Sequence, residues 1–184
     1  PSIGAPLGVI RDFTLHQSEI TLKFQEKLSL SGDDYQITTP DGETLFTMKG
    51  KAYSLRSRRT LYDTQGQPIL NIQDKILTLF KQFMVSISSS NGPELCHVKQ
   101  QFAIGSNKLS VHFQNFDGKE INLSVKGSIL ERHAEIYAGD ELVARLRRRL
   151  RDFSTYYVTV APGVDAALIA AVCNCLDDAV NGKH

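Results

Sequence analysis

The stretch GVDAALIAAVCNCLDDAV, residues 163–180, decides the fold of this chain. No polar residue occurs in it from Ala166 to Cys173. Alanine and leucine favour a helix, and Asp165 lies in the first turn, where the helix dipole favours negative charge. The Asn-Gly pair that follows is a helix stop signal. The pattern predicts a helix over residues 164–180 that is apolar on nearly every face, so other parts of the chain must enclose it.

Three environments are compatible with so apolar a helix. A membrane-spanning helix needs about 20 apolar residues, and this shorter run would place Asp165, Asp177 and Asp178 in lipid. A metal site on Cys173 and Cys175 is disfavoured, because residues two apart on a helix project about 200° from each other. We therefore expect a core helix, in which the cysteines are small buried apolar groups. The side chains predicted to be almost fully buried are Leu168, Ile169 and Val172.

The rest of the chain has the pattern of short antiparallel strands. Turn signals such as Asn-Gly and Asp-Gly separate about twelve runs rich in β-branched and aromatic residues, and several runs alternate apolar with polar residues. No helical segments lie between them, which disfavours a parallel α/β fold. A barrel of about twelve strands is too wide for its own side chains alone to fill. We predict an all-β fold with one helix, a closed antiparallel barrel around the apolar helix, with a flexible tail over residues 1–8 and the barrel domain over residues 9–184.

Composition narrows the function. Lys and Arg total 21 against 20 Asp and Glu, and with no Trp there is no basic stacking platform, so we disfavour nucleic acid as a partner. An odd and low number of cysteines, three, disfavours a disulfide framework and indicates a protein of the reducing cell interior. The first ten residues lack a signal-peptide pattern, so we expect a cytoplasmic protein, with peripheral membrane attachment as an extension. Phosphate-loop, dinucleotide and nucleophile-elbow motifs are missing and the histidines are scattered, so we expect no enzyme, no cofactor and no metal.

The most suggestive polar feature is the segment ELVARLRRRLRDF, residues 141–153. Read as a strand, it places leucines 142, 146 and 150 with Ala144 on one face, interrupted by Arg148. Same-face residues lie about 6.6–6.8 Å apart, and arginine suits phosphate because it donates in a planar fork. The candidate ligands for an anionic headgroup are Arg145, Arg147, Arg149 and Arg151.

A second basic cluster lies in KGKAYSLRSRR, residues 49–59. Its members are Lys49, Lys51, Arg56, Arg58 and Arg59. The candidate ligands for an anionic headgroup include all of them except Arg59. Basic residues also occupy solvent-facing strand positions simply to protect sheet edges from aggregation. Both interpretations, anion binding and a solvated face, remain open from the sequence.

Four segments in order carry a family resemblance over roughly residues 18 to 181. They are EKLSLSGDDYQITTPDGETLFTMKGK, LYDTQGQPILNIQDK, VKGSILERHAEIYAGDELVARLRRR and VAPGVDAALIAAVCNCLDD. Together they resemble the LURP-one-related proteins, which are relatives of the tubby carboxyl-terminal domain and of phospholipid scramblases. The resemblance implies a twelve-stranded barrel around a central hydrophobic helix. It also implies phosphoinositide binding and membrane tethering, as in tubby domains, although no arginine here is matched singly to a tubby position.

Two functions follow as expectations. The first is a non-enzymatic module that binds phosphoinositides or other anionic lipids, or tethers proteins to a membrane. The alternative is a protein-interaction scaffold in signalling or defence, because plant members of the family are linked to defence. The first predicts a concave basic pocket, and the second predicts an exposed apolar patch or a well-packed dimer.

Overall fold

The structure is a computed structural model that describes residues 6–27, 34–50, 58–75, 78–87, 92–101, 108–128, 133–149 and 154–181. It contains twelve strands, a short 3-10 helix over Arg11–Thr14 and one α-helix, α1, over Ala166–Asn181. The strands are β1 Ile20–Lys27, β2 Asp34–Thr38, β3 Thr44–Gly50, β4 Arg58–Tyr62, β5 Pro68–Asp74, β6 Gln82–Ile87, β7 Glu94–Gln101, β8 Lys108–Gln114, β9 Glu120–Ser128, β10 His133–Ala138, β11 Glu141–Arg148 and β12 Thr155–Val160.

The strands form the predicted closed antiparallel barrel. Each strand pairs with its neighbours in sequence, and β1 pairs with β12 to close the sheet. Alternate residues face inward, as in β8, where Leu109, Val111 and Phe113 are buried between more exposed neighbours. This alternation is the pattern of a sheet with one packed face and one solvated face.

Helix α1 fills the barrel, as the sequence predicts. Leu168, Ile169 and Val172 are 0% exposed, so the burial predicted for them is confirmed. Cys173 and Cys175 are buried in the same core as free thiols. With an apolar lining from the strands and an apolar helix inside, the barrel and the helix each bury the other's apolar surface.

The helix begins at Ala166, two residues after the predicted start, and Asp165 caps it instead of lying in its first turn. The Leu168 amide donates to Asp165 Oδ1 at 3.0 Å, the usual N-cap bond. The amides of Val9 and Ile10 donate to Asp165 Oδ2 at 3.0 and 2.8 Å. Leu7 is buried and its amide donates to the Gly163 carbonyl. The domain boundary at residue 9 stays a prediction. Leu7, two residues before that boundary, is part of the buried core.

A β-bulge alters the predicted facing of β11. Ile136 of β10 pairs with Ala144, whereas Tyr137 pairs with Leu142, so Val143 is an extra residue on β11. Val143 and Ala144 are both buried. The prediction that Leu142 shares the inner face with Ala144 is therefore wrong: Leu142 lies opposite Tyr137 on the outer face.

Charge is distributed unevenly between the two ends of the barrel. We call the end where the odd-numbered strands and α1 finish the basic end, and the end where α1 begins the acidic end. Described basic residues at the basic end are Lys27, Lys49, Arg58, Arg59, Lys75, Lys81, Lys99, Lys108, Lys126, Arg147, Arg148 and Arg149. Described carboxylates at the acidic end are Asp12, Glu19, Asp41, Glu43, Asp63, Glu94, Asp117, Glu120, Asp140, Glu141 and Asp165. The basic end also carries five described carboxylates, and the acidic end carries two described cations; these are Glu26, Asp34, Asp74, Asp177 and Asp178, and Arg11 and Lys119. Twelve cations against five carboxylates at one end, and two against eleven at the other, leave the described residues strongly polar along the barrel axis.

Candidate anion-binding site

Three cations surround one tyrosine on the outer face of β1, β12 and β11. Tyr157 pairs in register with Lys23 of β1 and with Arg147 of β11. The Arg149 guanidinium carbon lies 5.5 Å from the centroid of the Tyr157 ring, a cation–π distance. Among the residues the structure describes, none of the three cations forms an ion pair. We call Lys23, Arg147, Arg149 and Tyr157 the Tyr157 surface.

Arg145 flanks this surface but is partly neutralised. Its Nε donates to Glu135 Oε1 at 3.0 Å, and its side chain is 42% exposed. The Tyr137 hydroxyl donates to Glu135 Oε2 at 2.6 Å. This bond first, and then the bond from Arg145, lowers the pKa of the Glu135 carboxyl. Glu135 therefore stays charged, and Arg145 brings less free positive charge to a ligand than Arg147 does.

A shallow recess opens beside the Tyr157 surface where the bulge displaces β11. Its volume is about 250 Å³, and its lining includes Arg145, Arg147, Thr159 and the bulged Val143. The Glu19 carboxylate also lines it. Arginine side chains at a concave site are donors of the kind that recognise a phosphate group.

The second basic cluster lies on a different part of the wall. Lys49 of β3 is exposed, and its Nζ lies 5.4 Å from the centroid of the Tyr62 ring. Arg58 begins β4. Strands β12, β1 and β2 separate β3 from β11, which is about 19 Å at 4.8 Å per strand. The two clusters are therefore separate surfaces, and Lys51, Arg56 and Arg151 lie outside the described residues.

Two arginines of the basic segments face the barrel interior instead. Arg148 donates from Nη2 to Asp177 Oδ1 at 2.7 Å, and its side chain is 11% exposed. The Tyr35 hydroxyl donates to the other Asp177 oxygen at 2.6 Å. Arg148 thus serves as the counterion of a helix carboxylate, which explains why it interrupts an otherwise apolar inner face.

Arg59 has the same role on the opposite wall. It is only 2% exposed, and its Nη2 lies 3.0 Å from Asp74 and 3.7 Å from Asp178. Lys81 Nζ also lies 3.2 Å from Asp178. Grouping Arg59 with the exposed cluster was therefore wrong, because a buried and paired guanidinium is not available to a ligand.

The sequence did not single out Lys23 or Tyr157. Alternation within ITLKFQEK and YYVTV places both side chains on an outer face, which is a readable pattern. Their closeness to Arg147 depends on barrel closure between β1 and β12, which local sequence does not specify. In the described ranges no helix is long and apolar enough to cross a membrane. No group of three or more potential metal-ligating His, Cys, Asp or Glu residues occurs in those ranges.

Comparison with known proteins identifies the family. The LURP-one-related family model matches residues 20–177. Protein LURP-one-related 15 of Arabidopsis thaliana is 32% identical, over 84% of this chain and 76% of that protein. Protein LURP1 of the same plant is 30% identical, over 79% and 76%. An X-ray structure of an Arabidopsis thaliana protein superposes with a TM-score of 0.69 at 28% identity, covering 93% of this chain and 98% of that one. The chain belongs to the LURP-one-related family.

Proposed function

We propose that this member of the LURP-one-related family is a non-enzymatic, cytoplasmic module that binds anionic phospholipid headgroups, phosphoinositides among them, and so tethers reversibly to a membrane. The observation that carries the proposal is the Tyr157 surface. Three cations without carboxylate partners among the described residues lie beside a recess that two arginines line. The LURP-one-related family is related to tubby domains, which bind phosphoinositides, and that relationship supports the same chemistry.

The strength expected of such a surface suits reversible attachment. Each Lys or Arg near an anionic membrane contributes about 1 kcal/mol, so Lys23, Arg147 and Arg149 together contribute about 3 kcal/mol. That free energy corresponds to roughly a 150-fold gain in affinity. Arg145 adds less, because Glu135 pairs with it. Such binding weakens as ionic strength rises, since the charges are exposed.

Co-sedimentation with vesicles tests the proposal. Wild-type protein is compared on vesicles of phosphatidylcholine alone and on vesicles that also contain phosphatidylserine or phosphatidylinositol bisphosphate. We expect binding only to the anionic vesicles, and a large loss of binding in Arg147→Glu/Arg149→Glu. The matched control is Lys49→Glu/Arg58→Glu, which changes the net charge equally on the separate second cluster.

The outcomes separate site from net charge. If both double variants lose binding equally, general electrostatics and not the Tyr157 surface holds the membrane. If Arg147→Glu/Arg149→Glu binds as well as wild type, the surface is not the site. If wild type binds none of the anionic vesicles, the proposed function is wrong.

A further inference from the structure

An apolar groove opens at the acidic end and shares no lining residue with the Tyr157 surface. It has a volume of about 290 Å³ and lies between the 3-10 helix, the starts of β1 and β3, and the β4–β5 turn. Leu22, Phe46 and Ala166 are buried at its base, while Leu15 in its wall is 69% exposed. We call this the acidic groove. Its volume suits one or two side chains rather than a whole small molecule.

The walls of the acidic groove are held in place by specific contacts. The Phe13 ring packs edge-on against Phe46, with centroids 5.3 Å apart. His16 Nε2 lies 2.7 Å from the Val164 carbonyl oxygen. The groove is therefore a built feature of the fold, and Leu15 remains exposed although the segment that carries it is anchored on both sides.

Carboxylates line the rim of the groove. Asp12 and Asp63 both border it. Asp63 accepts hydrogen bonds from the amides of its own turn, whereas Asp12 has no hydrogen bond or ion pair with another described residue. An anionic lipid is disfavoured here by repulsion, and an apolar side chain flanked by cations is favoured.

The chain itself carries an exposed apolar side chain near an unpaired cation at the opposite end. Leu79, in the β5–β6 connection, is 90% exposed. Lys75 precedes it and forms no ion pair with another described residue, whereas Lys81 pairs with Asp178. We call Lys75 and the described residues 78–81 the Leu79 loop. Of the described residues, the exposed large hydrophobic ones are Leu15, Leu79 and Ile87, so two of these three lie on the two complementary features.

We propose that the acidic groove binds the Leu79 loop of a second copy of this chain. One copy cannot satisfy both features, because α1, 16 residues and about 24 Å long, spans the distance between the ends. Two copies can make the contact twice, side by side and antiparallel about a two-fold axis, or once, head to tail, which leaves one groove and one loop free for further copies. The inference does not depend on lipid binding.

The contact is small, so the association is weak and depends on concentration. Burying Leu79 in the groove and pairing Lys75 with Asp12 are its two contributions. Removing the leucine contact lowers the association constant at least about tenfold. Raising the salt concentration weakens it further, since the rim charges are exposed.

Analytical ultracentrifugation of mixed variants provides the test. Wild-type protein is expected to associate, as dimers or larger species, as its concentration rises. Leu15→Glu blocks the groove and Leu79→Glu removes the apolar tip of the loop, so each variant alone is expected to be monomeric. Both side chains are exposed, so neither change is expected to unfold the protein. An equimolar mixture of the two is expected to form one-to-one dimers and nothing larger, because it contains a single intact pair of surfaces.

Ile87→Glu is the matched control, because Ile87 is 45% exposed and belongs to neither surface. It is expected to associate like wild type. Wild-type protein that stays monomeric up to its solubility limit overturns the proposal. So does a mixture of Leu15→Glu and Leu79→Glu that fails to form dimers. None of these results bears on vesicle binding, so the two proposals fail separately.

Discussion

Replacing the inward-facing Arg148 with methionine tests whether the arginines of residues 141–153 have two roles. Arg148 is expected to stabilise the fold, and its exposed neighbours are expected to be available to a ligand. Arg148 and Asp177 form a pair whose side chains are 11% and 8% exposed. Removing one partner of a buried pair costs about 3–5 kcal/mol, because the other charge stays buried. Tyr35 still donates to Asp177, so the lower value applies. We expect Arg148→Met to reduce the free energy of unfolding by about 3 kcal/mol, or roughly 6–12 °C in Tm.

Urea unfolding followed by circular dichroism measures the change, and Arg147→Met is the matched control. Arg147 is the exposed neighbour of Arg148, so its loss is expected to change stability by no more than about 0.5 kcal/mol. The double variant Arg148→Met/Asp177→Leu removes both charges, and the Tyr35 hydroxyl loses its acceptor. We expect it to cost about 1–2 kcal/mol, less than either single variant. Additive losses, or equal effects of Arg147→Met and Arg148→Met, would refute the assignment.

Three further predictions concern the core and one surface histidine. Asp165→Ala removes the helix cap and the acceptor of the Val9 and Ile10 amides. We expect the free energy of unfolding, measured in urea, to fall by about 2–4 kcal/mol. A fall of less than about 1 kcal/mol would contradict the capping role. The three cysteines are buried, and burial is the main cause that raises the pKa of the Cys175 thiol to about 12. We therefore expect the thiols to react with a thiol reagent only as fast as the protein unfolds. A single fast-reacting thiol in folded protein would count against this. Burial first, and Lys75 next, lower the pKa of His97 below 6.5, so stability is expected to fall as pH drops through 6.5, where the unfolded chain takes up the proton first. His97→Gln should flatten that part of the stability curve, and an unchanged curve would contradict the assignment.

The barrel and its helix follow from local patterns in the sequence. An apolar run such as residues 166–173 has one stable place in a small β-rich protein, which is inside the sheet. Alternation along strands such as β8 specifies which residues face that helix. Both features can be predicted without knowing which strands are neighbours, because each pattern lies within a single segment of the sequence.

The site depends on contacts between distant segments, which is why it was only partly predicted. Val143 bulges out of register with β10, and this changes the facing of Leu142. Arg59 and Arg148 were not separable from their exposed neighbours, since their partners Asp178 and Asp177 lie at the far end of the chain. Alternation along a strand predicts which face of the sheet a side chain lies on. Which carboxylate pairs with an arginine depends on the three-dimensional arrangement of distant segments.

The central claim is that the three cations of the Tyr157 surface bind anionic headgroups. The most direct measurement is the vesicle affinity of Lys23→Gln/Arg147→Gln/Arg149→Gln against wild type, on phosphatidylinositol bisphosphate vesicles at one ionic strength. The account predicts that unfolding stability stays nearly unchanged and that affinity falls by roughly 150-fold, which corresponds to about 1 kcal/mol for each lost cation. An affinity within about twofold of wild type, which corresponds to less than about 0.5 kcal/mol, would contradict the claim.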